Sequence, residues 1–171
     1  MSGSPHSTLN RVDSHVYIGG YLAAADPILV KGAGFTHILK LFADDDSYPG
    51  GHHRHPGVDY LVIGAEDTSD YPLDQHFSEC LKFIQGAVRT GGKVLVHCHA
   101  GVSRSASIVL LHLMVNSGLS FDESLAHLRK VRPVASPNFG FLLLLTDVGK
   151  RADRIRAEGR APPRPNLSPK K

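Results

Sequence analysis

Tryptophan is absent from the 171 residues, and cysteine occurs only twice, as Cys80 and Cys98. Two thiols cannot build the disulfide framework of a small secreted domain, so an apolar core has to hold the chain together. The opening MSGSPHSTLN also lacks the basic and apolar regions of a secretory signal. A reducing compartment follows, and the expectation is a cytoplasmic protein, with the nucleus as the alternative. Long apolar runs are missing too: 108–115 is interrupted by His112, and 141–145 is far short of the roughly 20 residues that cross a bilayer. No membrane span is expected. The folded body also lacks surplus positive charge, although the net charge of +3 and the pI near 9.0 first suggest otherwise. Residues 1–149 carry 11 Lys/Arg against 14 Asp/Glu, a net of −3, whereas residues 150–171 carry 8 against 2, a net of +6. A mildly acidic body has no basic face for a phosphate backbone, so no nucleic-acid partner is expected.

What remains is ordinary globular composition, 42% hydrophobic and 20% charged, at a length typical of one domain. Three runs rich in β-branched or aromatic residues read as strands: 37–42, 60–63 and 94–97. The last two are almost continuously apolar, which predicts burial on both faces. The alternating piece 15–19 predicts an edge strand. Helical signals fill the intervals. Asp26 before Pro27 reads as a cap with proline in the first turn, and Gly32 or Gly34 closes that helix. Phe77, Leu81, Ile84 and Val88 recur at helical spacing behind Asp74, which reads as their N-cap. An apolar helix spans 105–116, Ser120 with Glu123 forms a capping box, and a last helix begins near Asn138. Strands alternating with helices predict an α/β sheet covered by helices. The expected domain covers 10–157, between a flexible segment 1–9 and a disordered, basic tail 158–171 with four prolines. His52, His53 and His55 lie in a polar loop read as solvated, and no metal or other cofactor is expected.

The informative stretch is VLVHCHAGVSRS, 94–105, a strand that turns through a glycine-containing loop into a helix. Backbone N–H groups from His99, Ala100, Gly101, Val102, Ser103 and Arg104 can converge on an anion there, reinforced by the helix N-terminus. Cys98 sits beneath that field, which favours a thiolate over a thiol. Arg104, six residues on, brings a planar fork that matches two phosphate oxygens. Gly101 allows close backbone approach, and Ser105 places a hydroxyl near the sulfur. A leaving group would need an acid, and the candidates are Glu66, Asp67, Asp70 and Asp74.

In that context HCHAGVSRS fits the HCxxGxxRS signature, and the chain resembles the dual-specificity group of cysteine-dependent protein phosphatases. AEDTSDY (65–71), VLVHC, CHAGVSRSA and RPVASPNFGF (132–141) follow in that group's order. The resemblance implies a protein-tyrosine-phosphatase-like single domain, with a central mixed sheet of about five strands flanked by helices. It implies metal-independent hydrolysis of phosphotyrosine and phosphoserine/threonine in a phosphorylated protein substrate, with Cys98 as nucleophile and Arg104 as phosphate clamp. Asp67, 31 residues before Cys98, takes the family's acid position, and Asp70 is the runner-up. His97 takes the position of a loop brace, and Asn138 that of a tie between its helix and the loop. Leu144 departs from the pattern, standing where many members carry glutamine.

With fewer than ten residues before the domain, a catalytic-domain-only, monomeric member is expected. Two other readings stay open: a phosphatase of a phosphoinositide, RNA 5′-phosphate or phosphoglycan, and a module that captures phosphoproteins without turnover. Cys80 is expected to be a core thiol, with a redox link to Cys98 as the alternative, and His112 and His127 to be packing or surface residues. Deletion of the residues after Gly159 is expected to leave turnover of a small aryl phosphate unchanged. A large loss in that assay would show that the basic tail belongs to the fold.

Overall fold

The computed structural model describes residues 4–44 and 53–159. The expected solvated loop lies partly outside these, His52 included, as does the expected tail from residue 160 onward. Five strands form one sheet: β1 (Leu9–Arg11), β2 (Val16–Gly19), β3 (His37–Lys40), β4 (Asp59–Val62) and β5 (Val94–His97). Their order is β1-β2-β5-β3-β4, and every pairing is parallel except that of β1 with β2. The last strand in sequence is therefore the central one, with Val96 opposite both Ile18 and Leu39. All four of its residues are buried, as its apolar run predicts. Two strand expectations are corrected. β2 is interior, because the three-residue β1 covers its outer side, and β4 is the half-buried edge, with Asp59 exposed.

The helices are α1 (Tyr21–Ala25), α2 (Pro27–Ala33), α3 (Phe77–Arg89), α4 (Arg104–Val115), α5 (Phe121–Val131) and α6 (Phe139–Ala157). Strand side chains alternate between two cores. Val94, Val96 and Leu39 join the larger core with α3, α4 and α6, while Leu95 and Ile38 join Val30 and Phe35 on the opposite side. Local chemistry sets the helix ends. Asp26 Oδ1 accepts from Ile28 N at 2.8 Å and Leu29 N at 3.2 Å, and Gly34, at φ +72°, closes α2. Ser120 and Glu123 complete their reciprocal capping box. Asn138 caps α6 by accepting from Phe141 N at 3.0 Å.

Two further expectations change, and of the two readings of His112, packing or surface, the structure shows the first. Asp74 does not cap α3: it lies in a 3-10 turn, Leu73–His76, that tightens the chain before the helix begins at Phe77. The segment 1–9 takes up structure from Ser4. Pro5–Ser7 forms a 3-10 turn and Leu9 opens β1, because Pro5 and Thr8 supply acceptors to a buried arginine of the domain. His112 is buried in α4, where its Nε2–H donates to Asp13 Oδ2 at 2.7 Å. A chain of donors sustains it, since Gln85 Nε2 donates to Asn116 Oδ1 and Asn116 Nδ2 to His112 Nδ1.

Asp13 anchors the start of β2, accepting from the backbone N–H of His15 and Val16 at 2.8 Å each. Burial pushes its carboxyl upward, but the hydrogen bond from His112 and the two backbone amides outweigh it and hold it below the usual carboxylate range. A depressed folded value stabilises the protein above the unfolded value of about 3.9. That stabilisation disappears as pH falls through the folded value. Asp13→Asn is therefore expected to cost about 1–3 kcal/mol at pH 7. In urea denaturation the gap from the unsubstituted protein should narrow below about pH 4. An equal gap at pH 7 and pH 3 would show that the charge contributes nothing.

Candidate active site

β5 ends in His97, and the chain then turns through 98–103 into α4. Every carbonyl of that turn is bonded away from its centre. Cys98 O accepts from His97 Nδ1 at 3.3 Å, and His99 O from Tyr21 N at 2.9 Å. Arg132 supplies Nη2 to Ala100 O at 2.9 Å and Nε to Gly101 O at 2.6 Å. Val102 O accepts from Ser136 N at 2.7 Å, and Ser103 O from Ser107 N at 2.9 Å and Ser107 Oγ at 2.8 Å. In a trans peptide the N–H points opposite to the carbonyl, and there are no cis peptides. Fixing six carbonyls outward therefore turns the N–H groups of the next six residues inward. Among the described residues, those of Ala100 through Arg104 make no backbone hydrogen bond. Such a ring of amides at a helix N-terminus is an anion cradle.

The shape depends on Gly101, at φ +65°. A Cβ there would fall 2.6 Å from the carbonyl oxygen of Gly19 and onto the Arg132 guanidinium. At the base of the cradle Cys98 is buried, 2% exposed, with Sγ 3.2 Å from Ser105 Oγ. In the thiolate form the serine hydroxyl is the donor. Arg104 reaches across to the loop after β4, where Nη1 donates to Ala65 O at 3.0 Å. Its Nε–H is buried and has no partner among the described residues. A buried donor left open beside a ring of amides suits an incoming oxyanion.

His97 has its imidazole pushed down to about 3, by burial first and then by Lys40, Arg104 and Arg54, against its bond to Cys98 O. It stays neutral throughout the physiological range and acts as a brace. His99 sits at the rim, stacked on Tyr21 at 4.9 Å between centroids and met edge-on by His6 at 4.7 Å. Burial, His6 and Arg104 hold it below the usual imidazole range.

Asp67 is exposed, and its Oδ1 accepts from Asn138 Nδ2 at 2.9 Å. Asn138 also donates its backbone N–H to Ser103 Oγ at 2.9 Å, so one residue joins the carboxylate, the cradle and the cap of α6. Asp70, also exposed, makes no such link. Cys80 is remote in role: buried in α3, its thiol is pushed up to about 12 by burial and Glu79, which suits a core thiol and not a redox partner. Among the described residues no three His, Cys, Asp or Glu side chains are grouped to hold a metal ion. His55 is instead buried, with Nε2 donating to Ala24 O at 2.8 Å.

Two residues were missed from sequence. Arg132 opens the RPVASPNFGF stretch, and an arginine directly before a proline at the end of an amphipathic helix was the available signal. Gly140 gives no signal of its own. A Cβ there would come within 2.6 Å of the Ser69 carbonyl carbon, so α6 lies directly against the loop that carries Asp67.

Comparison with known proteins identifies the family. Residues 16–151 match the family model of the dual specificity phosphatase catalytic domain. Dual specificity protein phosphatase 1 of Arabidopsis thaliana is 38% identical over 140 residues, which cover 81% of this chain and 68% of that protein. Dual specificity protein phosphatase 15 of Mus musculus is 34% identical over 146 residues, 82% of this chain and 57% of the mouse protein. A crystal structure of DUSP15 superposes with a TM-score of 0.78 at 30% identity, covering 91% of this chain and 98% of that one. A mouse putative dual specificity phosphatase complexed with zinc tungstate gives the same score and identity over 95% and 96%. With the family model matched across residues 16–151 and a relative 38% identical over 81% of its length, this chain belongs to the dual specificity phosphatase family.

Proposed function

We propose that the protein hydrolyses phosphotyrosine and phosphoserine/threonine in protein substrates, without a metal ion, through a cysteinyl-phosphate intermediate on Cys98. The observation that carries this is the set of six outward carbonyls above a buried cysteine. Amides held inward before substrate arrives stabilise phosphoryl charge at no cost of reorganisation. The tungstate complex of the mouse relative involves a tetrahedral oxyanion of phosphate's shape. The cradle of this chain would take a phosphoryl group of that shape.

In the first step the Cys98 thiolate attacks phosphorus and the bond to the leaving oxygen breaks. Asp67, entering protonated, gives that oxygen its proton. The Arg104 fork and the inward amides follow the three equatorial oxygens through the transition state. In the second step water attacks the phosphorus of the intermediate and Asp67 takes its proton. The sulfur–phosphorus bond breaks, inorganic phosphate departs, and the thiolate is restored. Ser105 donates to the sulfur as it leaves, from 3.2 Å. Asn138 holds Asp67 over the cradle in both steps.

Cys98→Ser is expected to abolish hydrolysis of a small aryl phosphate in the presence of a chelator. Activity that survives the substitution, or that requires a divalent ion, would overturn the mechanism. A panel of phosphotyrosine and phosphothreonine peptides, a phosphoinositide and an RNA 5′-triphosphate then tests the substrate class.

Asp67→Asn keeps an Oδ1 acceptor for Asn138 and removes only the transferable proton. It is expected to slow turnover by at least about a hundredfold while vanadate affinity stays within a few-fold. Near-normal turnover in stopped-time assays would move the role to Asp70.

A further inference from the structure

Arg132 is the largest fully buried side chain among the described residues, 1% exposed, and caps the end of α5. All five of its N–H groups are used. Nε and Nη2 hold Gly101 O and Ala100 O, Nη2 also reaches Pro5 O at 2.9 Å, and Nη1 reaches Asn10 Oδ1 at 2.6 Å and Thr8 Oγ1 at 3.3 Å. These acceptors come from the cradle, from the turn before β1 and from β1 itself. None of them is a carboxylate, and among the described residues Arg132 forms no ion pair. A buried guanidinium whose charge nothing cancels is costly unless an anion elsewhere benefits from it. The candidate is Cys98 in its thiolate form, at the base of the loop whose Ala100 and Gly101 carbonyls Arg132 holds. Burial pushes the guanidinium downward, and the negative charge of the Cys98 thiolate draws it back up.

We propose that Arg132 is a positioning residue for the chemistry at Cys98. Its fork fixes the Ala100 and Gly101 carbonyls outward, and its uncancelled charge behind the loop favours the thiolate and the bound phosphate. The part concerning phosphate rests on the phosphatase reading above; the part concerning the thiolate does not. The other titratable or charged groups around the loop are His97 in β5, Lys40 opposite it in β3, Arg54, His99 and Arg104 within the loop, His6 against His99, and Asp67 on the far side of Asn138. Lys40 and Arg54 share the Asp44 carboxylate, whereas Arg104 and Arg132 form no ion pair among the described residues.

The test is the pH dependence of alkylation of Cys98 by iodoacetamide, followed by mass spectrometry on the full chain. Four proteins are compared: the unsubstituted chain, Arg132→Met, Arg132→Lys and Asn10→Asp. Asn10→Asp keeps the side-chain shape and places a carboxylate against the guanidinium, cancelling its charge without removing it. An opposite charge at close range moves a titration by about 1–3 units. Across the loop, Arg132→Met and Asn10→Asp are expected to raise the alkylation midpoint by roughly 0.5–1.5 units. Arg132→Lys should keep the midpoint and lower kcat/KM for an aryl phosphate by about tenfold, because one ammonium nitrogen with three donors cannot reproduce the five bonds that the planar fork makes from three separate nitrogens. A merely structural arginine would lower melting temperature in these variants and leave the midpoint where it was. Should Arg132→Met fail to fold, Asn10→Asp decides, and an unmoved midpoint there overturns the electrostatic role. Unchanged kcat/KM in Arg132→Lys overturns the positioning role. Failure of the unsubstituted chain to hydrolyse any phosphoester would refute the phosphatase reading and leave the alkylation result intact.

Discussion

The site depends on where six carbonyl oxygens are held. Peptide planarity couples each carbonyl to the next N–H, so a donor placed outside the loop 98–103 decides what faces its centre. Those donors come from almost every part of the domain: His97 at the end of β5, Tyr21 at the start of α1, Arg132 at the end of α5, Ser136 in the following turn, and Ser107 in α4. The fold converts long-range packing into the orientation of a few backbone dipoles. That explains why β5, last in sequence among the strands, has to be central: only there can helices and strands on both sides reach the chain leaving it.

The electrostatics follow the same plan. The protein's basic pI describes its C-terminal end, while the body through residue 149 is net negative. Within that acidic body a local positive field is concentrated at one point, and His97 registers it through the depression caused by Lys40, Arg104 and Arg54. One phosphate group suits such a field, whereas an extended polyanion would meet the acidic surface around it.

Features fixed by neighbours in sequence were legible in the sequence. The caps at Asp26, Ser120 and Asn138, the apolar face of α3 and the burial of β5 follow from short-range spacing. That Cys98, Arg104 and Ser105 share one turn was legible because they lie within eight residues of chain. Which strand forms an edge was not, since 15–19 alternates in the same way whether or not a three-residue β1 lies beside it. Nor was the ordering of residues 4–9, which comes from acceptors offered to an arginine more than 120 residues away. Asp74 illustrates a third case: it is a residue type suited to a cap, but a proline at 72 and a 3-10 turn moved the N-cap two residues on, to His76.

The two glycines at the site carry a consequence for how the protein tolerates change. Gly101 abuts the backbone of Gly19, and Gly140 abuts that of Ser69. At both places the obstacles to a side chain include main chain, which has no alternative rotamer to retreat into. One methyl group would therefore displace either the cradle or the loop bearing Asp67 without removing any functional group. Genetic fragility at this site thus extends to residues with no chemistry of their own, and a survey of inactivating substitutions confined to nucleophile, acid and arginine would overlook them.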